Sequence, residues 1–151
     1  MSIKRRVMDL IAKRDHSEKE LKQKLSRVKK WDRQESRFSK ERLYTDEEIK
    51  TVIEWARDNR WLQEGTYLSE RWAESLNRKK KGIKYINAYL SQKGLPAIKK
   101  DEEAEFDKAV YLLKRKIGSK ELDPPMKAKL TRFLMSRGFD SETIRKAFKQ
   151  V

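Results

Sequence analysis

Two acidic triplets, Asp46-Glu47-Glu48 and Asp101-Glu102-Glu103, and a lone histidine, His16, are the groups in this 151-residue chain whose types and spacing could do chemistry. Neighbouring carboxylates can work as a general acid and base or as oxygen ligands for a divalent cation, and an imidazole can shuttle a proton near neutral pH. Each has a simpler explanation in its surroundings. The triplets stand in what read as first helical turns, where the helix dipole stabilises negative charge. His16 precedes Ser17, which with Glu20 has the spacing of a capping box, so the ring reads as a helix-start device packed toward Leu21. The absence of cysteine excludes disulfides, thiolate catalysis and thiolate-bound metal, and a single histidine excludes multi-histidine centres. The five glycines are scattered, so no phosphate-cradling loop forms, and no nucleophile stands beside a base. No catalytic residue, metal site or cofactor is expected.

Charge is the chemistry that remains. With 39 Lys and Arg against 24 Asp and Glu, the net charge is +15 and the partner is expected to be anionic, nucleic acid first. Residues 1–40 carry 14 basic and 6 acidic groups, residues 41–77 carry 5 and 9, residues 78–100 carry 8 and none, and residues 101–151 carry 12 and 9. Half of the excess therefore sits around Arg78, Lys79, Lys80, Lys81 and Lys84, which are the expected partner contacts, with Lys4, Arg5 and Arg6 second. Their expected role is to steer the protein and to hold phosphate or acidic side chains without reading bases. A solvated helix C-terminus would account for the same run. Trp55, Trp61, Trp72, Tyr85 and Tyr89 are interleaved with cations and could stack on single-stranded bases. Trp72 lies on an apolar stripe and is assigned to the core, Trp55 and Tyr89 to stripe edges. Trp31 either caps a satellite core or anchors a partner.

The elements that must position these groups are helices. Apolar residues recur at three- and four-residue spacings, and no convincing run alternates with period two. Eight stripes result, from Ile3, Val7, Leu10 and Ile11 at the start to Ile144, Phe148 and Val151 at the end. Capping-box spacings at Ser17/Glu20 and Thr45/Glu48, caps at Asp123 (before Pro124) and Asp140, and staples from Tyr44 to Ile49 and Phe139 to Ile144 mark starts. Lys93-Gly94-Leu95 and Arg137-Gly138-Phe139 mark stops. Laying Val7–Leu25 over Trp72–Leu90 sets Leu21 on Ile86 and Leu25 on Leu90, and a third copy sets Leu130 and Leu134 there. Charged residues make up 42% and hydrophobic ones 36%, too thin for one thick core. The expected fold is all-α, tandem repeats of small three-helix units forming an elongated molecule. The repeats are placed at 1–62 with a charged insertion at 26–44, at 63–102 and at 103–151. The insertion reads as either a helical extension or a mobile loop. The longest uninterrupted apolar run is Ala109 to Leu113, too short for a signal peptide core or a membrane span, so a cytoplasmic monomer with no membrane contact is expected.

The segment Arg14-Asp15-His16-Ser17-Glu18-Lys19-Glu20-Leu21-Lys22-Gln23-Lys24-Leu25 closely resembles the R-x-[HY]-S-x-x-E-L-x-x-K-L signature near the start of RecX-family proteins. The resemblance continues through Trp61-Leu62, Gly82-Ile83 with Ile86 and Leu90, Lys93-Gly94-Leu95, and Phe133-Leu134 with Arg137-Gly138-Phe139. In Gln63-Glu64-Gly65-Thr66-Tyr67 only Glu64 and Tyr67 fit the family pattern, and the connection from Gly94 to the Phe106 stripe is short, as if a third helix were trimmed or fused into its neighbour. The resemblance implies a small, basic, all-helical modulator of the RecA recombinase, active in homologous recombination, DNA repair and the SOS response. It implies a protein that binds the RecA filament on single-stranded DNA and suppresses ATP hydrolysis and strand exchange, by groove binding or end capping. Direct single-stranded DNA contact stays open, and the alternative is a basic helical module acting on DNA directly.

Overall fold

Capped amphipathic segments become eight helices and one hairpin in the computed structural model, which describes residues 2–151. The residues group into two compact units. One takes in the chain up to Leu68 together with Lys93–Leu95, the other Ser69–Gln92 and Pro96–Val151.

In the first unit, α1 (Ile3–Lys13) starts at Ser2, whose Oγ accepts from the Arg5 amide at 3.2 Å. Helices α2 (Glu18–Ser26) and α3 (Asp46–Asp58) both start in capping boxes, Ser17 with Glu20 and Thr45 with Glu48. Val7 of α1, Leu21 and Leu25 of α2, Ile49, Val52, Ile53 and Ala56 of α3, and Tyr44 before it form one buried cluster. Full burial of each larger side chain contributes about 1.5–3 kcal/mol. Asp46, Glu47 and Glu48, the first acidic triplet, fill the first turn of α3.

Arg14, His16, Ser17, Glu20 and Lys24 of the Arg14–Leu25 segment meet Lys93 in one polar network. Glu20 is buried and accepts from Arg14 at 2.7 Å and from Lys93 at 3.1 Å, while Ser17 Oγ donates to the Lys93 carbonyl at 2.5 Å. Burial resists ionisation of Glu20, but the hydrogen bonds from Arg14 and Lys93 outweigh it and hold the carboxyl below its ordinary range. His16, 4% exposed, has Nδ1 at 2.9 Å from the Arg14 carbonyl and Nε2 at 2.7 Å from Lys24 Nζ. With Lys24 donating to Nε2, the ring is neutral with its proton on Nδ1. Burial and the positive charges of Arg14 and Lys24 keep its pKa below the usual histidine value, against the pull of the Arg14 carbonyl.

Between α2 and α3 the structure departs from the expected helical extension or mobile loop. Strands β1 (Lys29–Asp32) and β2 (Arg37–Arg42) pair antiparallel, with Trp31 opposite Phe38, Asp32 opposite Arg37, and an irregularity between Lys29 and Trp31. Asp32 Oδ1 accepts from the amides of Gln34 (3.0 Å) and Glu35 (3.3 Å), closing the turn as an Asx motif. The chain is thus mostly helical with one small sheet. Period-two apolar alternation was missing because neither face of the hairpin is buried.

In the second unit, α4 (Gly65–Arg78, its first turn lying in the first unit) is followed by α5 (Ile83–Gln92), α6 (Glu102–Ile117), α7 (Pro124–Ser136) and α8 (Ser141–Gln150). Ala109, Leu113, Leu130, Leu134, Phe139, Ile144, Ala147 and Phe148 form its buried cluster. Ile86 and Leu90 of α5 are fully buried as well, and Trp72, assigned to the core, is half-buried with its ring 5.3 Å from that of Tyr89. No helix intervenes between α5 and α6. The segment is pinned instead by Asn87, which exchanges two hydrogen bonds with Ile98, and by Ser69 Oγ donating to the Pro96 carbonyl at 2.6 Å. Asp101 caps α6, with Glu102 and Glu103 in its first turn. Asp140 caps α8 at Thr143, and the hydrogen bond from Lys100 holds its carboxyl at about 2. Among the described residues no group of three or more His, Asp or Glu is placed to hold a metal, and no helix is long and apolar enough to cross a membrane.

Because the folded state depresses the His16 pKa, it binds fewer protons there than the unfolded chain does. The stability His16 contributes is therefore complete above the ordinary histidine pKa and is lost as pH falls through it toward the lower folded value. The stability of wild type against urea should fall as pH drops from 7.5 to about 5.5, and His16→Gln, which cannot titrate, should flatten that part of the profile.

Candidate polyanion-binding cleft

Helix α4 ends without glycine. The Lys80 amide donates to the Asn77 carbonyl at 2.9 Å and the Lys81 amide to Leu76 at 3.1 Å, the paired bonds of a Schellman stop, and Lys80 takes φ +60° where glycine is usual. Helix α7 ends the same way with Gly138 at φ +97°: the Gly138 amide donates to Met135 at 3.1 Å and the Phe139 amide to Leu134 at 3.2 Å. The two stops meet. Helix α5 has no side-chain cap of its own, and its orphan amides are satisfied from outside. Gly82 donates to the Arg137 carbonyl (2.8 Å), Ile83 to Glu105 Oε2 (2.9 Å) and Lys84 to the Gly138 carbonyl (3.0 Å). A Cβ on Gly82 would lie 2.4 Å from the Gly138 carbonyl carbon, and one on Gly138 would lie 2.4 Å from the Tyr85 amide nitrogen.

Buried Lys108 completes the joint. Its ammonium donates to Asn77 Oδ1 and the Lys81 carbonyl, both at 2.7 Å, and pairs with Glu105 at 2.5 Å. Arg137 reaches across from α7, donating to the carbonyls of Lys79 and Lys80 at the end of α4.

These contacts bring the C-termini of α4, α6 and α7 to one cleft of about 570 Å³. Arg78, Lys79 and Lys80 line it together with Arg115, Lys116 and Arg137, and Tyr111, Leu112 and Phe133 supply its apolar surface. Lys80 Nζ lies 4.9 Å from the Tyr111 ring centre, and Arg115 donates to the Tyr111 hydroxyl at 2.9 Å. Lys116 and Arg137 both lie over Phe133, at 4.8 and 5.6 Å. Among the described residues none of the six cations is ion-paired to a carboxylate, and no acidic residue lines the cleft. Like charges held this close repel one another, and an arriving polyanion relieves that repulsion. Aromatic rings beside cations can also take the π-face of a base.

The remaining expected contacts lie elsewhere. Lys81 does not line the cleft; it is half-buried, with Nζ 4.5 Å from the Tyr85 ring centre, and Lys84 is exposed on α5. Lys4, Arg5 and Arg6 belong to α1 in the first unit, where Lys4 lies 4.7 Å from the Trp55 ring and Arg6 donates to the Tyr44 hydroxyl at 3.1 Å. Trp55 is half-buried, edge-on to Trp61 at 4.8 Å. Sequence reasoning missed Arg115, Lys116 and Arg137. The only signal for the first two is the basic last turn of α6, and tertiary packing alone brings them to Arg78.

Residues 102–148 match the profile of RecX, third three-helix domain. The regulatory protein RecX of Cronobacter sakazakii is 33% identical over 151 residues, spanning 95% of this chain and 88% of that protein. That of Pseudomonas entomophila is 32% identical over 155 residues, again spanning 95% and 88%. In fold, the chain superposes on the crystal structure of RecX from Lactobacillus salivarius with a TM-score of 0.73 and 18% identity, covering 98% of this chain and 93% of that one.

The two halves of the joint should respond oppositely to substitution. Lys80→Gly relieves a left-handed backbone that costs an L-residue about 1 kcal/mol, so stability in urea should hold or rise by up to that amount. Gly82→Ala forces a methyl into the Gly138 backbone and should cost more than about 2 kcal/mol.

Proposed function

Because the chain belongs to the RecX family of regulatory proteins, we propose that it acts in the cytoplasm on the RecA filament formed on single-stranded DNA, restraining ATP hydrolysis and strand exchange. The observation that carries this reading is the cleft of six cations between the ends of α4, α6 and α7, none with a carboxylate partner among the described residues. A nucleoprotein filament presents the negative field such a cleft requires, from phosphates and from acidic protein surface. Specificity then comes from protein surface, and charge supplies approach and hold. The acidic triplets and His16 are spent on helix starts and a buried network, so the activity proposed is regulatory binding with no chemical step.

Titration of the purified protein into a DNA-dependent RecA ATPase assay at about 0.15 M salt tests this directly. Inhibition is expected at less than one protein per RecA protomer, and its absence would sink the reading. Reversal of the cleft by Lys79→Glu, Lys80→Glu and Arg115→Glu together should raise the half-inhibitory concentration at least tenfold with helicity unchanged. Reversal of Lys4 and Arg5 should do less.

A further inference from the structure

The most exposed large hydrophobic side chains of the first unit are a matched pair. Phe38 is 68% exposed and Trp31 53%, directly opposite each other on the hairpin, with ring centres 5.0 Å apart and planes at 80°. An edge-to-face pair of this kind stabilises two strands, but a hairpin stapled only for its own sake gains little from leaving both rings so open to water.

The charge around the pair is sorted. Of the three carboxylates between residues 29 and 42, Asp32 closes the turn, Glu35 pairs with Arg37, and Glu41 pairs with Lys30 at 2.9 Å. Arg42 is held by Asp46 at 2.7 Å. Lys29, Arg33 and Lys40 are left without a carboxylate partner among the described residues. Every negative group of the hairpin is thus engaged, and the three cations each stand two residues along the chain from one of the two exposed rings.

We propose that the hairpin is a binding site for single-stranded nucleic acid, with Trp31 and Phe38 stacking on unpaired bases and Lys29, Arg33 and Lys40 holding the intervening phosphates. A protein pocket fits less well, because three unpaired cations beside the rings would lose water without gaining counter-charge, and lysine is depleted at the centres of protein interfaces. A duplex fits less well still, since its bases are already stacked. An exposed ring among cations without carboxylate partners recurs at Tyr111 in the second unit, and a polynucleotide strand is a ligand both places would accept. The inference stands apart from RecA regulation, and its test contains no RecA.

Binding of the full chain to a fluorescent 20-nucleotide oligo(dT) is measured by anisotropy across a salt series. Trp31→Ala with Phe38→Ala should weaken binding at least tenfold, the size of a lost base–aromatic stack, and leave the salt slope unchanged because no cation is removed. Lys29→Ala, Arg33→Ala and Lys40→Ala together should leave the aromatic contact but flatten the slope by about 2, given about 0.7 for each phosphate released from a single strand. A wild-type readout guards against a collapsed hairpin: photocrosslinking to a bromodeoxyuridine oligonucleotide should label Trp31 or Phe38. Crosslinks confined to other sites, or oligonucleotide affinity unchanged in the aromatic variant, would overturn the proposal. So would an aromatic variant that binds naked oligonucleotide normally and loses only a protein partner.

Discussion

The meeting of Gly82 with Gly138 is the constraint on which the second unit is built. Two backbones approach closely enough that neither residue can carry a side chain, and in exchange the start of α5 obtains from the end of α7 the acceptors that its own sequence lacks. Glu105 and Lys108 seal the same joint from α6. A buried ion pair is costly when any of its hydrogen-bonding capacity goes unused. Here the three ammonium protons of Lys108 match three acceptors, Glu105, Asn77 and the Lys81 carbonyl, while the second oxygen of Glu105 takes the Ile83 amide. Three helices are thereby locked to one turn, and the position of every cation in the cleft follows from that lock.

The cleft also resolves an electrostatic tension. Helix C-termini carry partial negative charge from carbonyls without partners, and the ends of α4, α6 and α7 all converge there. Arg137 spends part of its charge on the carbonyls of Lys79 and Lys80, so it is at once a cap and a member of the basic surface. Of the other five, Lys80 and Lys116 lie over aromatic rings and Arg115 donates to the Tyr111 hydroxyl, and among the described residues none of the five has a carboxylate partner. Local helix chemistry makes it inexpensive to gather positive charge at this place, which an anionic partner can then use.

Features set by a few neighbouring residues were legible in the sequence. The capping boxes at Ser17 and Thr45, the caps at Asp123 and Asp140, the stop at Gly138, and the recurrence of Leu25, Leu90 and Leu134 as fully buried residues all follow from local geometry or from period. Glu105 and Lys108 could not be singled out, because an i,i+3 pair of opposite charge on a helix reads as surface until its neighbours are known. Lys80 hid a stop that glycine normally announces. The hairpin was invisible for another reason. Its strands bury no face, so Trp31 and Phe38 sit among charges with no hydrophobic alternation to betray them. Likewise, Arg115 and Arg137 reach Arg78 only through packing, and no spacing along the chain encodes that.

A sheet of two strands consists of nothing but edges. Along each outer side β1 and β2 present amide and carbonyl groups to which another extended chain could add, and two open aromatic rings would reward the addition. Lysines along the strands and an irregular register are the usual deterrents to such growth, and this hairpin carries both in Lys29, Lys30, Lys40 and the break between Lys29 and Trp31. The charge proposed to hold a polyanion would therefore also keep copies of the protein from zipping together. If the hairpin holds a strand as proposed, solubility and binding would draw on the same few lysines, and removing one would act on both at once.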